Sequence, residues 1–476
     1  MLPSLFLSCF IQIGDYFPVK IGCLLPVENG CFIPLSTTTL SVDNRIDALK
    51  RLYEAIKENQ EELQDALKSD LKKSAFESDM CEIGLTLSEI TYMIDHVRRF
   101  SKEKRVRTPL SQFCSRSYTL PMPYGTVLVI SPWNYPVLLS LEPLVDALAS
   151  GNTCIIKPSA YSPNTSKILH SIISKTFPEG YVAVIEGGRE ENKALLDQDF
   201  DYIFFTGSKA VGHEVMRKAS EHITPLTLEL GGKSPCIVER SANIKLAARR
   251  IVFGKFLNSG QTCVAPDYIL VDNKIRTAFI DEVKKEIVRQ YGEKPLENKN
   301  YTKIINQKHF DRISALIDPD KVIFGGKTNP HTLQIEPTVI DSVLFSDKIM
   351  QEEIFGPLMP IISYDSIDDA IMSVKRLDHP LAFYVFSENK KLARNLMRSV
   401  GFGGGCINDT VIHIATSYMG FGGFKESGIG SYHGKTGFDA FSHYKNIVDK
   451  KTWLDLPMRY SPYKRIYHKL IKLFLR

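Results

Sequence analysis

From Asp43 onward apolar residues recur at intervals of three and four: Ile46, Leu49, Leu52, Tyr53, Ile56, Leu63 and Leu67, set among many charges. This is the period of an amphipathic helix, and the charge run from Lys57 to Lys73 reads most simply as its solvated face. The period then changes. Thr126 to Ile130 is a short apolar run rich in β-branched residues, which predicts a strand. Pro132 leads from it into an apolar helical stretch from Val137 to Ala149, closed by Gly151. Thr153 to Ile156 predicts a second strand, and Ser162 is placed to cap a helix with Pro163 in its first turn that runs to about Phe177. Tyr181 to Ile185 and Tyr202 to Phe205 follow as strands, and a helix extends from about Lys209 to Ser220. Strand and helix in alternation imply a parallel sheet covered on both faces.

A second alternating region runs to about Asn408. Its expected strands lie near Tyr268 to Val271, Val322 to Phe324 and Pro360 to Tyr364, and its helices near Ile275 to Tyr291, Ile367 to Arg376 and Lys390 to Arg398. It should form its own α/β domain. Gly401 to Gly405 and Gly420 to Gly430 read as mobile or tightly turned connections. The first forty residues fit neither region. Leu5 to Ile13 is apolar, yet no Lys or Arg precedes it and it is too short to span a bilayer, so a loose N-terminal extension outside the fold is expected.

Composition adds bounds rather than a function. A chain of 476 residues exceeds what one core usually serves, so two or three domains are expected. The formal charge of +5 is spread along the chain and offers nucleic acid no patch. The nine cysteines form no CxxC pair and stand beside no histidine at metal-ligand spacing, a pattern of free thiols that suits a reducing, cytoplasmic compartment and predicts no metal.

Three residues carry candidate chemistry. Cys263 follows Gly260-Gln261-Thr262 in a polar turn instead of an apolar run, which favours a reactive thiol over a packed one. Glu229 lies between Leu228 and Leu230, directly before two glycines. A desolvated carboxyl there suits a general base, although alone it reads better as a capping or salt-bridged residue. Asn134, between Trp133 and Tyr135, follows a strand end where an amide can donate to an oxyanion, and by itself it is a turn asparagine. Gly207 and Gly212 stand where parallel sheets bind dinucleotides but miss the GxGxxG spacing, so a C-cap and a close helix-strand contact explain them equally well.

Six ordered stretches change that balance. Ser131-Pro132-Trp133-Asn134-Tyr135-Pro136, Lys157-Pro158-Ser159, Phe205-Thr206-Gly207-Ser208, Glu229-Leu230-Gly231-Gly232-Lys233-Ser234-Pro235, Gly260-Gln261-Thr262-Cys263 and Glu352-Glu353-Ile354-Phe355-Gly356-Pro357 resemble the aldehyde dehydrogenase superfamily, from about Phe32 to about Val448. Val264-Ala265-Pro266-Asp267-Tyr268, Ser431-Tyr432-His433-Gly434-Lys435 and Phe441-Ser442-His443 resemble its class 3 branch, which includes fatty aldehyde dehydrogenases.

The resemblance implies an α/β fold with a Rossmann-type parallel-sheet cofactor domain, an α/β catalytic domain and a small oligomerisation arm. Along the chain this divides into an extension at 1–40, an NAD(P)-binding domain at 41–228 with an oligomerisation strand near 110–124, a catalytic domain at 229–408, a return segment and arm at 409–450, and a tail at 451–476. It implies oxidation of medium- or long-chain aliphatic, or aromatic, aldehydes to acids by a homodimer. In that scheme Cys263 is the nucleophile, and Asn134 with the Cys263 N–H holds the oxyanion. Glu229 activates the water that hydrolyses a thioester, which disfavours coenzyme A as acyl acceptor.

By the same resemblance Lys157 bonds the adenosine ribose. Gly207, Ser208, Val211 and Gly212 line the pyrophosphate and adenine side, Leu230 is a further cofactor contact, Glu353 meets the nicotinamide ribose and Phe355 the nicotinamide ring. Without it, Lys157 reads as a surface charge and Phe355 as core. Many relatives carry Glu three residues after the lysine, where this chain has Ala160. Loss of that carboxylate removes repulsion against a 2'-phosphate, so NADP is expected to be accepted beside NAD.

From Arg459 to Arg476 there are six Lys or Arg residues and no acidic one. Tyr463, Ile466, Tyr467, Leu470, Ile471 and Phe474 share one helical face, and Lys464, Arg465, His468, Lys469, Lys472 and Arg476 the other, which suits either an in-plane membrane contact or docking on the dimer. Two other function classes remain at this level: a cofactor-independent cysteine esterase or hydrolase, disfavoured by the lack of a nearby histidine, and a catalytically silent homologue with a binding role. The segment from Val411 to Tyr418, expected near the substrate tunnel mouth, has mixed small and apolar side chains that do not choose an aldehyde.

Overall fold

The computed structural model describes residues 41–474 together with four short strands before them, Phe10–Ile13, Phe17–Lys20, Val27–Glu28 and Cys31–Phe32. Most of the expected N-terminal extension lies outside the described residues.

Thr126–Ile130 is buried along its whole length, as a strand with helices on both faces must be. It sits at the centre of a six-stranded sheet. Across the sheet the order is Gly428–Ile429, Leu226–Glu229, Tyr202–Thr206, Thr126–Ile130, Thr153–Lys157 and Val182–Val184. All neighbours are parallel except Gly428–Ile429, which runs antiparallel beside Leu226–Glu229. The chain order therefore reverses between Thr126–Ile130 and Tyr202–Thr206, and the crevice beyond their carboxyl ends is the topological switch point where such sheets bind ligands. Pro235–Val238, Tyr268–Asp272, Leu358–Tyr364, Ala382–Phe386 and Gly404–Ile407 belong to a second, seven-stranded sheet, in which only Val322–Phe324 and Thr338–Ile340 pair antiparallel. A third sheet joins Lys104–Val106, Ser115–Pro123 and Ser442–Lys450, the last two paired over nine residues.

Several expectations need correction. The helix from Asp43 breaks into Val42–Glu58 and Gln60–Leu71, because the Asn59 side chain donates to the Ala55 carbonyl at 2.7 Å and ends the first helix. The charge run is not solvated throughout: Asp70 is 5 % exposed and Lys73 is fully buried. Asp70 explains a second correction. Ser162 precedes the helix Pro163–Thr176, but its hydroxyl donates to the Ser159 carbonyl and caps nothing. The cap comes from Asp70, whose carboxylate accepts from the Thr165 N–H and hydroxyl, both at 2.8 Å, and from the Asn164 amide at 2.7 Å. The glycine runs are also less loose than their composition suggests, since Gly404–Ile407 and Gly428–Ile429 are strands. A Cβ at Gly405 would stand 2.0 Å from the Phe383 carbonyl, so glycine there permits close strand approach.

Candidate active site

The thiol sits on a turn with a demanding backbone. After the helix Ile244–Phe256, Asn258 and Ser259 both take φ of 51° and Gly260 takes 72°. A Cβ at Gly260 would lie 2.3 Å from the Gly356 carbonyl oxygen, so this position needs glycine for space as well as for backbone angle. Side chains lock the turn: Gln261 donates to the Asn258 and Lys303 carbonyls, both at 3.0 Å, and Thr262 meets the Tyr135 hydroxyl at 2.6 Å. Cys263 emerges half-buried. Burial pushes its thiol up to about 12, helped by the charges of Glu353 and Glu229, while the backbone N–H groups of Cys263 and Val264 pull the other way.

Asn134 arrives from the turn that follows Thr126–Ile130 and is 3 % exposed. Its carboxamide nitrogen donates to the Gln261 carbonyl at 3.0 Å, which places the amide against the cysteine turn. Its own carbonyl accepts from the Asn258 amide at 2.8 Å and from the buried Lys73 ammonium at 3.2 Å. Lys73 pairs with Glu82 at 2.5 Å, and the other Glu82 oxygen accepts from the Val137 N–H at 2.8 Å, so the whole Asn134 turn is anchored.

Glu229 ends its strand at 2 % exposure. Among the described residues neither of its carboxyl oxygens has a hydrogen-bond partner, which speaks against both the capping and the salt-bridged readings. Burial raises its carboxyl well above the ordinary range. A buried, unpartnered acid has a stability cost, and such groups persist where chemistry uses them.

The remaining candidates line the same sheet edge and the facing loops. Lys157 is not a surface charge: it is 1 % exposed, and its ammonium donates to the Pro158 and Gly187 carbonyls at 2.8 and 2.6 Å. Burial lowers it to about 8, against the opposing charges of Glu191 and Glu186. Ala160 is exposed nearby. Ser208 caps the helix Lys209–His222 by accepting from the Val211 N–H, and Val211 is 37 % exposed. At Gly212 the close helix-strand contact is real, since a Cβ there would lie 2.7 Å from the Leu230 side chain. Gly207 packs against the Phe205 ring in the same way.

Glu353 and Phe355 approach from the second sheet's loops. Burial and Asp267 raise the Glu353 carboxyl to about 8, with the Gly232 N–H opposing. Its oxygen lies where a Cβ on Gly231 would be, 2.0 Å away. Phe355, at φ 48°, is half-buried instead of core, and its ring meets Trp133 edge-on at 5.4 Å. Trp133 in turn packs on His309, whose imidazole burial holds down to about 4. Sequence reasoning missed Lys73, Glu82, His309 and Arg312. Charge and periodicity hide Lys73 inside an apparently solvated run.

Two sheets that close on a half-buried thiol, a buried unpartnered carboxyl and an anchored carboxamide define a class of protein built for cysteine-based carbonyl chemistry at a dinucleotide-type crevice. The chain belongs to the aldehyde dehydrogenase family, whose sequence profile matches residues 36–447. It is 44 % identical over 440 residues to 4,4'-diaponeurosporen-aldehyde dehydrogenase of Staphylococcus aureus, covering 92 % of this chain and 96 % of that one. It is 41 % identical over 406 residues to aldehyde dehydrogenase family 3 member A2 of Pongo abelii, covering 85 % and 84 %. That likeness agrees with the class 3 branch expected from the sequence. Among solved structures, the substrate-bound state of Staphylococcus aureus AldH superposes with a TM-score of 0.90 at 44 % identity, covering 92 % and 96 %. Betaine aldehyde dehydrogenase of Staphylococcus aureus in complex with NAD+ does so with 0.79 at 26 % identity, covering 88 % and 85 %.

Proposed function

We propose that this protein oxidises aldehydes to carboxylic acids with NAD, and with NADP beside it. The observation that carries the reading is the joint placement of Cys263, Asn134 and Glu229. A thiol, a pre-aimed amide donor and an orphaned buried carboxyl meet at one switch point, and a silent homologue has no need of that costly carboxyl.

The crevice suits a nicotinamide dinucleotide. The Thr206 hydroxyl at the strand end is buried with no partner among the described residues, Lys157 is held by backbone carbonyls at the same edge, and the half-exposed Phe355 ring is braced by Trp133. Lys157 would hold the adenosine ribose. Gly207, Ser208, Val211 and Gly212 would take the pyrophosphate and adenine side, Glu353 the second ribose and Phe355 the nicotinamide, with Leu230 a further cofactor contact. When bound, the cofactor supplies the two-electron acceptor for the substrate carbon.

The protein's own groups do the rest. Cys263, deprotonated, attacks the aldehyde carbon, and its N–H and the Asn134 amide receive the oxyanion. After oxidation the acyl group remains on sulfur as a thioester. Glu229 takes a proton from water, the resulting hydroxide attacks the thioester carbon, and the acid leaves as the thiol re-forms. Burial raises the Glu229 carboxyl well above the ordinary range, which makes its carboxylate a stronger base.

Residues 41–228 act as the cofactor domain, 229–408 as the catalytic domain and 409–450 as return segment and arm. Ile412, Tyr418 and Met419 are 54 %, 81 % and 56 % exposed, an apolar approach that supports medium- or long-chain aliphatic, or aromatic, aldehydes. Val106, Leu110, Phe113, Val448 and Trp453 expose apolar surface on and beside the three-stranded sheet, which supports a homodimer formed through that arm. The chain is read as cytoplasmic, with a membrane contact through its tail. Absorbance at the reduced-nicotinamide band on mixing with NAD and an aldehyde panel from acetaldehyde to hexadecanal, with benzaldehyde, tests the reading: a rise with the longer aldehydes is expected, and no rise with any aldehyde contradicts it. Ester cleavage without such a rise would favour the hydrolase.

A further inference from the structure

The proposed reaction gives no role to Lys233 or Asp267. Lys233 belongs to the Gly-Gly-Lys run after Glu229, and Asp267 follows the cysteine turn. Their side chains are 11 % and 4 % exposed, and the Lys233 ammonium lies 2.5 Å from Asp267 Oδ2. The same ammonium donates to the Ile349 carbonyl at 3.0 Å and to the Glu352 carbonyl at 2.8 Å, so all three of its protons are used. The other carboxylate oxygen, Asp267 Oδ1, accepts from the Ile354 N–H at 2.9 Å, and the Asp267 N–H donates to the Ser234 carbonyl at 2.8 Å.

Glu353 is the residue between those two gripped peptide groups. Arg312 adds a third grip, donating to the Glu353 carbonyl at 3.4 Å and to the Ile354 carbonyl at 2.7 Å. With its backbone held on both sides, Glu353 lays its carboxyl on the Gly231–Gly232 turn, where glycine at 231 is the only residue that leaves room. The turn belongs to the chain that has just left Glu229, and the Glu353 charge opposes ionisation of the Cys263 thiol. A buried ion pair is weak evidence for stability in itself, because apolar replacements of similar volume often hold a fold as well. What apolar side chains would not reproduce is the pair of hydrogen bonds to the Ile349 and Glu352 carbonyls.

We propose that Lys233 and Asp267 form a positioning pair that holds Glu353 on the Gly231–Gly232 turn, and so sets both the charge seen by Cys263 and the contact offered to the cofactor ribose. The second half rests on the reading of Glu353 as a ribose ligand; the first does not. Neither residue touches substrate.

The test reads the two halves separately. Cofactor-free protein is alkylated with iodoacetamide at pH 9, where Glu353 is largely ionised, and followed by mass at Cys263, whose thiol Glu353 holds up. Losing the Lys233 cation would by direct charge alone slow alkylation, whereas releasing Glu353 from beside the thiol speeds it. Lys233→Met is expected to react about three- to tenfold faster than wild type, Glu353→Gln similarly, and the two together no faster than Glu353→Gln alone. A slower or unchanged rate in Lys233→Met, or additive effects, overturns the proposal. If Lys233→Met does not fold, the charge-neutral Lys233→Met/Asp267→Asn variant carries the same comparison, since Asn retains the acceptor for Ile354. For the second half, NAD affinity is measured by quenching of protein fluorescence. About tenfold weaker binding in Lys233→Met, restored in Lys233→Arg, is expected. Equal binding overturns the positioning role, whereas failure of wild type to bind NAD overturns the ribose reading of Glu353 and leaves the alkylation result to decide the pair.

Discussion

At the scale of single residues, burial decides what each ionisable group can do. Cys263 is held to about 12 and Lys157 lowered to about 8, and in both desolvation is the largest cause. The thiol is therefore neutral near pH 7 in the cofactor-free protein. Lys157 has a different consequence. Below about pH 8 it carries a charge that can meet a 2'-phosphate, and above that it retains only neutral hydrogen-bond donors. NADP affinity is therefore expected to fall more than NAD affinity as pH rises from 7 to 9.5, as measured by equilibrium titration of each cofactor. A ratio that stays constant across that range contradicts the assignment of Lys157. A thousandfold preference for NAD at pH 7 would instead contradict the role given to Ala160.

At the scale of elements, Thr126–Ile130 and Leu138–Ser150 are legible because each is predominantly apolar and punctuated, by Pro132 on one side and Gly151 on the other. Cys263, Glu229 and Asn134 could be picked out from the motif order, but their mutual geometry could not. That geometry depends on long-range partners such as Gln261 for Asn134, and on a run of left-handed residues that no local signal before Gly260 announces. The cap on the helix Pro163–Thr176 shows the same limit: local chemistry nominates Ser162, while Asp70, ninety-odd residues earlier, supplies the bonds. Asp70→Ala is accordingly expected to lower stability by about 1–2 kcal/mol, and Ser162→Ala by a few tenths, in urea unfolding followed by far-UV circular dichroism. Equal losses would contradict the assignment of the cap.

At the scale of the whole molecule, the sheets divide the work. The six-stranded sheet presents a switch-point edge, the seven-stranded sheet brings Cys263 and Glu353 to it, and the three-stranded sheet stands apart with apolar side chains exposed. No helix among the described residues is long and apolar enough to cross a membrane. The helix Arg465–Phe474 nonetheless leaves Ile466 63 % exposed, and Tyr463 before it 78 %, among basic residues. Truncation before Pro457 is expected to preserve the dimer mass in light scattering and to abolish co-sedimentation with anionic vesicles; vesicle binding unchanged by the truncation contradicts the membrane reading, and a monomer in the full chain contradicts the arm. In the proposed reaction acyl transfer runs through Cys263 and is completed by Glu229. Glu229→Gln mixed with NAD and a long-chain aldehyde, then denatured and digested, tests it most directly by peptide mass. An acyl adduct on the Cys263 peptide, accumulating together with one equivalent of reduced cofactor, is the predicted result; reduced cofactor formed at the wild-type steady rate with no adduct on Cys263 would contradict it.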